Sequence, residues 1–487
     1  MTLFVQRLKN PQPPVTLQLG EYLHPQHPHL FRKGMAMNES STRRQFLELA
    51  AAIGTTTALR GAAASGEETP LAVDRQGEEF KPLDEVRIGL IGIGNRGSGL
   101  LPLLLDLEGV KIQAVCDLVE SRVDWAQNQV EAAGQRRPTG YSRGEYDFQR
   151  MCNAEDLDLV MAVTPWRWHV PMCVAAMEAG KHAATEVPAA TTVEECWQLV
   201  EISEKMKRHC VMLENCCYGR PEMMIFNMVR QGLFGELVHA RAGYMHELRM
   251  DSELISPDGS EVRWRLDNMI HHNGNIYPTH GLGPVAQCMD IDRGDRFDYL
   301  VSMSSKSAGL NAFYAQQFGD DHPLATQQYA LGDVNFSLIR TVGGKTITLG
   351  HDTQLPRPYS RMSMVQGTKG IYQGYPDRIH LEGRSPAHGW ENLEAYQQEY
   401  DHPLWRELEK RSEGSGHGGM DFMELYRLVK ALRSGTPTDW NVYDAASWSV
   451  IFELSQRSVA NKSRPVDFPD FTRGKWKTNP PLGIVTA

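Results

Sequence analysis

Short runs of β-branched and aliphatic residues alternate with longer stretches of helical spacing through the first half of the chain. Residues 86–91 read as a buried parallel strand, 98–107 as an apolar helix and 111–116 as the next strand. Further strands are expected at 159–163, 182–186 and 211–215, with helices between them at 170–179, stopped by Gly180, and at 193–206. The second of these helices opens on a Thr192/Glu195 capping box. This repeated βα rhythm predicts a doubly wound parallel sheet up to Asn215. After Tyr218 the period shortens to two. Tyr299-Leu-Val-Ser-Met and Val334-Asn-Phe-Ser-Leu-Ile alternate, and Gly343-Gly344 supplies a hairpin before Thr346-Ile-Thr-Leu. The fold class is therefore α/β followed by α+β, the second part built on a largely antiparallel open sheet. No internal repeat or low-complexity tract interrupts it.

The turn after the first strand adds chemistry. Gly92-Ile-Gly94-Asn95-Arg96-Gly97 is a glycine fingerprint between a strand and a helix. Its glycines permit a tight turn and close backbone approach, and the helix amides that follow face a pyrophosphate. Asp117, 20 residues past Gly97, ends the next strand, where a carboxylate accepts from both ribose hydroxyls and repels a 2′-phosphate. Strand, triplet, helix, strand and acid in register predict a Rossmann domain holding NAD rather than NADP.

Ahead of the fold, Ser41-Thr-Arg43-Arg44-Gln-Phe46-Leu47 precedes a modestly apolar stretch and then Ala62-Ala-Ala64, a small-residue cleavage pattern. The paired arginines are similar to a twin-arginine signal, whose machinery carries folded proteins, so export to the periplasm or medium is expected with NAD already captured. The expected organisation is a leader at 1–64, with the true start at Met35 or Met37, and a linker at 65–85. An NAD domain at 86–215 and a substrate domain with a C-terminal tail at 216–487 follow.

With 487 residues, 41% hydrophobic content and a net charge of −10, the chain suits two ordinary cores and argues against nucleic acid or an anionic membrane as partner. No apolar run is long enough to span a bilayer. The eight cysteines include Cys216-Cys217 but no Cys-x-x-Cys and no zinc spacing with histidine, so no metal is expected.

Polar and aromatic residues gather at successive strand ends: Thr164-Pro-Trp166-Arg167-Trp168-His169, Thr185-Glu186-Val187-Pro188 and Glu214-Asn215-Cys-Cys-Tyr218. Open α/β sheets bind ligands outside those ends, so the three define a cleft. In the second half, Asn275-Ile-Tyr277-Pro278-Thr279-His280-Gly281-Leu-Gly283-Pro284 reads as a tightly turning, glycine-rich loop pairing a phenol with an imidazole. Trp264-Arg265, Gly243-Tyr244 and Pro358-Tyr359 suit stacking and hydrogen bonding to a sugar.

Together with Phe234-Gly-Glu-Leu-Val-His239 and Gly416-His417-Gly-Gly-Met-Asp421, these segments resemble glycoside hydrolase family 109 from about Val86 to Trp476. The resemblance implies the glucose-fructose oxidoreductase and inositol dehydrogenase fold, bound NAD and α-N-acetylgalactosaminidase activity on small molecules or glycans ending in an amino sugar. By resemblance Asn95, Arg96, Asp117, Trp166, Arg167, Trp168, His169, Glu186, Val187 and Asn215 contact NAD. Tyr244, Arg265, Tyr277, Pro278, Thr279, His280 and Tyr359 contact the sugar.

The wider superfamily has Glu-Lys-Pro where this chain has Glu186-Val187-Pro188, which disfavours a net dehydrogenase working through that lysine. Direct hydrolysis normally uses two carboxylates, with NAD-dependent glycosidases an exception. The expected reaction is instead oxidation at C3, elimination across C1–C2, water addition and re-reduction, a redox-neutral and retaining cycle. His280 is assigned the C3 hydroxyl proton and Tyr218 the C2 proton. An exported NAD-dependent sugar or cyclitol dehydrogenase is the alternative, and the sequence leaves a homo-oligomer open.

Overall fold

The computed structural model describes residues 81–249, 251, 254 and 264–487. The expected leader at 1–64 and most of the linker at 65–85 lie outside the described residues.

Six parallel strands form the first sheet in the order β3-β2-β1-β4-β5-β6: Val86–Ile91 (β1), Val110–Cys116 (β2), Thr139–Tyr141 (β3), Leu159–Ala162 (β4), His182–Thr185 (β5) and Cys210–Met212 (β6). This is the doubly wound order with its reversal between β1 and β4. Both faces are covered, so the strands read as continuous apolar runs rather than alternating ones. Val86, Ile88 and Leu90 are fully buried, each side chain contributing about 1.5–3 kcal/mol by leaving water. The helix Val193–Met206 opens on the expected capping box, Glu195 N–H donating to the Thr192 hydroxyl.

Three local expectations are corrected. The first helix begins at Asn95, not residue 98, because Gly94 takes the N-cap position and Gly97 tolerates helical backbone. The last parallel strand stops at Met212, and Asn215–Tyr218 turn as a short 3-10 helix whose Cys216 amide is capped by the Glu214 side chain. Thr139–Tyr141, only three residues long, adds an edge strand that its sequence did not announce.

The second sheet has nine strands in the order β14-β13-β12-β11-β7-β10-β9-β8-β15. Its members are Leu237–Met245 (β7), Phe297–Ser304 (β8), Asn335–Thr341 (β9), Thr346–Asp352 (β10), Met364–Gly367 (β11), Gly370–Gln373 (β12), Arg378–Leu381 (β13), Glu391–Asn392 (β14) and Val466–Asp467 (β15). Every pair is antiparallel except β7 with β10. In β9 every second residue is buried while Phe336 and Leu338 face out, the one-sided pattern of an open sheet. The hairpin between β9 and β10 turns at Gly344, whose φ of 88° needs glycine.

Residues 440–453 return to the first sheet before β15 adds an edge strand to the second. Trp440 Nε1 donates to Met212 O at 2.6 Å, the Ala189 amide donates to Ser449 Oγ at 3.0 Å, and the Val193 amide donates to Glu453 Oε2 at 2.6 Å. Both sheets belong to one compact unit. The helix Met420–Ser434 runs beside the parallel sheet: its first turn reaches the carboxyl ends, where Asn215 Nδ2 donates to Asp421 Oδ1 at 2.7 Å, and its last turn reaches the amino ends, where the Leu83 amide donates to Arg433 O at 3.2 Å.

Candidate active site

The glycine turn is built for close backbone approach. A Cβ on Gly97 would lie 1.9 Å from the Gly92 carbonyl oxygen, and one on Gly92 would lie 2.2 Å from that of Val163. Gly94, by contrast, has only an arginine tip 3.7 Å from its missing Cβ, and the helix Asn95–Leu105 starts there with no side-chain cap. Open space above uncapped amides is what a pyrophosphate needs. Asp117 is oriented by accepting from Ile93 N at 2.7 Å and Val119 N at 2.9 Å, each through a different oxygen. Each oxygen keeps a lone pair for a ribose hydroxyl. These residues fit NAD.

Arg96 ties this turn to three others. Its Nε donates to Glu186 Oε1 at 2.6 Å and its Nη1 to Asp421 Oδ2 at 2.6 Å, while His417 Nδ1 lies 2.8 Å from that same oxygen. Burial alone would raise the Asp421 carboxyl; hydrogen bonds and charge from His417 and Arg96 hold it far below the aspartate range. Of the residues expected at the cofactor, Glu186 is thus joined to Arg96 directly and Asn215 through Asp421, which sequence reasoning gave no role. The signal was the glycine run before it: Gly418 and Gly419 have positive φ, and a Cβ on Gly416 would lie 2.4 Å from Asp421 Oδ2. Glu424 lies one turn further along the same helix, buried, with both oxygens unpartnered. Burial and the Glu186 charge push its carboxyl well above the usual range, so it is neutral.

The loop after β4 splits. Trp166 is buried and meets Trp264 edge-on at 4.9 Å and Tyr277 at 5.8 Å, with the Arg265 guanidinium 5.5 Å from its ring. The three residues after it do not face the cleft with their side chains. Arg167 is exposed and pairs with Glu145 at 3.6 Å, and Trp168 packs on Tyr146 and Phe148. His169 is sealed, with Nδ1 2.8 Å from Pro188 O and Nε2 2.7 Å from Thr164 O. Burial lowers its pKa while the two carbonyls oppose the shift, and the ring, set between them, bridges the loops after β4 and β5 as an anchor. The side-chain part of the cofactor expectation is therefore corrected for Arg167, Trp168 and His169. Val187 is likewise buried, and Glu186 beside it reaches Arg96.

The supposed loop at 275–284 is a helix from Thr279, spanning Thr279–Cys288 with Pro278 at its N-cap. Its glycines serve packing rather than turning. A Cβ on Gly281 would lie 2.2 Å from the Gly243 amide nitrogen, and one on Gly283 would lie 2.9 Å from Cys217 Sγ. The helix therefore presses on β7 and on the turn after β6. That contact assembles an aromatic cluster: Tyr244 and Tyr277 at 4.5 Å between centroids, Tyr277 and His280 at 4.9 Å, Tyr244 and His280 at 5.5 Å. Arg265 lies 5.3 Å over Tyr277, and Tyr359, partly exposed, closes the mouth beside His246 at 4.9 Å. His246 was not foreseen; it stands two residues after Tyr244, just past the end of β7, and its Nδ1 lies 2.8 Å from the Tyr244 hydroxyl.

His280 Nδ1 lies 2.7 Å from Glu214 Oε1, and its Nε2 stands 3.4 Å from the Tyr277 hydroxyl. Burial would lower the imidazole; the Cys216 sulfur and the Glu214 carboxylate overcome this and raise it well above its ordinary value. Burial would raise Glu214, but the charge and hydrogen bond of His280 bring it below the ordinary glutamate value. Glu214, Cys216 and His280 place their donor atoms within 4.8 Å of one another. Arg361 Nη1 donates to Cys216 Sγ at 3.5 Å, so a guanidinium already stands against the sulfur of this cluster.

Tyr218 does not join His280. Its hydroxyl donates to Asp439 Oδ2 at 2.6 Å, Asp439 is clamped by Arg427, and its ring packs on Trp440 at 4.9 Å. Burial raises its pKa well above the ordinary phenol value, which leaves a protonated hydroxyl engaged elsewhere. The pairing of Tyr218 with His280 as proton carriers is corrected: a carboxylate captures the phenol, and the short turn after Glu214 sets its direction.

Comparison with known proteins places these features. Residues 86–214 match the oxidoreductase family with an NAD-binding Rossmann fold, and residues 218–478 match the glycosyl hydrolase 109 C-terminal domain. A glycosyl hydrolase family 109 protein of Solibacter usitatus is 48% identical over 447 residues, covering 91% of this chain and 100% of its own. Glycosyl hydrolase family 109 protein 2 of Shewanella sp. (strain ANA-3) is 46% identical over 452 residues, 91% of this chain and 99% of its own. Among solved structures, scyllo-inositol dehydrogenase from Lactobacillus casei with bound NAD(H) and scyllo-inositol superposes with a TM-score of 0.56 at 14% identity, covering 79% of this chain and 99% of that one. The N-terminal domain is an NAD-binding Rossmann domain, and the chain belongs to glycosyl hydrolase family 109.

Proposed function

We propose that this glycosidase releases terminal α-N-acetylgalactosamine by a redox-neutral, retaining cycle and acts after export by the twin-arginine route. One juxtaposition supports the chemistry: His280, with Tyr277 at its Nε2, stands at the strand ends that also carry the NAD cradle. Tyr244, Tyr277 and Trp166 offer ring faces to a pyranose, and Arg265 brings donors beside them. The identity of the sugar rests on the family resemblance, and the export route on Arg43-Arg44 before Phe46-Leu47.

NAD, when bound, supplies a reversible two-electron oxidant. His280 takes the C3 hydroxyl proton through Nε2 as C3 becomes a carbonyl, which acidifies the C2 proton. The Tyr277 hydroxyl, 3.4 Å from Nε2, is the group beside His280 that can exchange that proton. Burial raises its pKa as it does that of Tyr218, so it acts as a protonated relay that takes the C2 proton while passing its own to the leaving oxygen, and we assign it this role in place of Tyr218. As the C2–H bond breaks and its proton passes to Tyr277, a C1–C2 double bond forms and the C1–O bond to the aglycone breaks, its oxygen taking the proton that the Tyr277 hydroxyl gives up. Water then adds to C1, C2 regains a proton, and the carbonyl returns to an alcohol as His280 gives its proton back. The balance is glycoside plus water to sugar plus alcohol.

The fold shared with a scyllo-inositol dehydrogenase supports a second reading, net oxidation of a sugar or cyclitol. A nitrophenyl α-N-acetylgalactosaminide assay separates the two. Aglycone release without added NAD and without growth of reduced-nicotinamide absorbance supports the glycosidase. Net reduction of added NAD by a free sugar, with no aglycone release, overturns it.

A further inference from the structure

The cycle above leaves one buried carboxylate without a task. Glu214 leaves β6 fully buried, and its Oε1 accepts both the Cys216 amide at 3.2 Å and His280 Nδ1 at 2.7 Å. The helix Thr279–Cys288 makes room for it through a missing side chain: a Cβ on Gly283 would lie 3.1 Å from Glu214 Cγ. The far ring nitrogen, Nε2, stands at the longer distance of 3.4 Å from the Tyr277 hydroxyl, and the Cys216 side chain also bears on the ring. One nitrogen is therefore held tightly by a buried carboxylate and the other loosely by a phenol.

We propose that Glu214 is a positioning residue that fixes His280 as the Nδ1–H tautomer, so that Nε2 is the base presented to the sugar. The substrate's identity rests on the glycosidase reading, whereas the tautomer does not. A neutral imidazole has one N–H, and a carboxylate can only accept, so the proton must sit on Nδ1. When Nε2 takes a second proton, the buried negative charge stabilises the imidazolium; Glu214 itself stays ionised. The titratable and charged groups around the ring are Glu214 and Cys216 from the turn after β6, Tyr277 from the helix entry, Tyr244 from β7 and His246 just past its end, with Arg265 behind Tyr277. Glu214 is the one carboxylate in hydrogen-bond contact with the ring among the described residues.

The sign of the effect follows. A negative partner raises the pH at which His280 loses its second proton, so activity that needs a neutral ring rises through that pH. Glu214→Gln keeps an acceptor for Nδ1–H but removes the charge. The acid limb of kcat/KM then moves to lower pH, while the plateau kcat falls on the order of 10–100-fold, part of what a positioned base supplies. KM and NAD content stay near wild type. A role in packing alone would lower the folded fraction and leave the limb in place.

The test uses the NAD-loaded full chain with labelled histidine. In wild type, imidazole 15N shifts assigned by their loss in His280→Ala report the tautomer directly above the ring's pKa; Nδ1–H is expected, and Nε2–H overturns the proposal. In Glu214→Gln the same resonance should titrate at lower pH, and the Glu214→Gln/His280→Ala double variant should be no slower than His280→Ala alone. An unchanged titration, or losses that multiply, also overturns it. If Glu214→Gln fails to fold, the wild-type tautomer decides. If wild type releases no aglycone, the glycosidase reading falls while the 15N result still judges Glu214.

Discussion

Arg96 Nη1 lies 2.6 Å from Asp421 Oδ2, joining the glycine turn after the first strand to a helix 325 residues later in the chain. The same carboxylate accepts Asn215 Nδ2 at 2.7 Å and meets His417 Nδ1 at 2.8 Å, so one buried anion gathers three segments at the edge of the cofactor cradle.

That arrangement makes stability depend on acid in a defined direction. The Asp421 carboxyl is held below its ordinary value, so its stabilisation is complete above the unfolded aspartate pKa of about 3.9 and is lost as pH falls toward the folded value. Asp421→Asn should lower stability by about 1–3 kcal/mol near neutral pH, since it leaves charged donors short of their partner. The gap from wild type should narrow once pH drops below about 4. Thermal melts of both proteins between neutral and acid pH check this; a constant gap would mean the carboxyl is not depressed.

Asp117 is expected to serve the cofactor by a different route. Its oxygens are turned by the Ile93 and Val119 amides toward the place a ribose occupies, so Asp117→Ala should remove charge-assisted bonds of about 1.5–3 kcal/mol each. Titration of the NAD-free protein should show affinity falling about tenfold or more. Unchanged affinity would remove Asp117 from the cradle.

The Arg43-Arg44 pair invites a separate experiment in cells. The twin-arginine signal is read by a receptor and not by charge alone, so replacing both residues by lysine should strand the precursor in the cytoplasm. Fractionation and immunoblotting give the outcome; normal export of the Lys-Lys form would point to another pathway.

How much of this was legible in the sequence depended on whether an element's signal was local. The strand Val86–Ile91 and the helix Val193–Met206 carry their own period and cap, and both appear at the expected residues. The helix Thr279–Cys288 was hidden because Gly281 and Gly283 look like turn residues, whereas they let the helix touch Gly243 and Cys217. Asp421 could be seen only as the residue closing a glycine run, since its partners are far away in the chain. Tyr218 was misjudged for a related reason. Its direction is set by Glu214 capping the turn and by Asp439 accepting its hydroxyl, neither of which has a periodic signature. The cluster of Glu214, Cys216 and His280 likewise has no spacing to read, because its members come from two segments brought together by packing.

Those positions lead to opposite expectations for two tyrosines when turnover is run in D₂O. Oxidation at C3 and elimination across C1–C2 exchange the C2 proton with a protein group, so the released sugar should carry deuterium at C2, which displacement by carboxylates would leave untouched. Tyr277→Phe removes the hydroxyl 3.4 Å from His280 Nε2 and should slow aglycone release and exchange together, by about 10²–10⁴ if it carries the proton. Tyr218→Phe removes only the hydrogen bond to Asp439, which keeps Arg427. It should therefore cost about 1 kcal/mol of stability while deuterium per released sugar stays at the wild-type level. Mass spectrometry of the product and a melting curve read both variants. Release at full rate with no deuterium at C2 would exclude elimination, unless a shielded group returned the same proton; a primary isotope effect with C2-deuterated substrate exposes that case. Loss of exchange in Tyr218→Phe with Tyr277→Phe unaffected would return the C2 role to Tyr218.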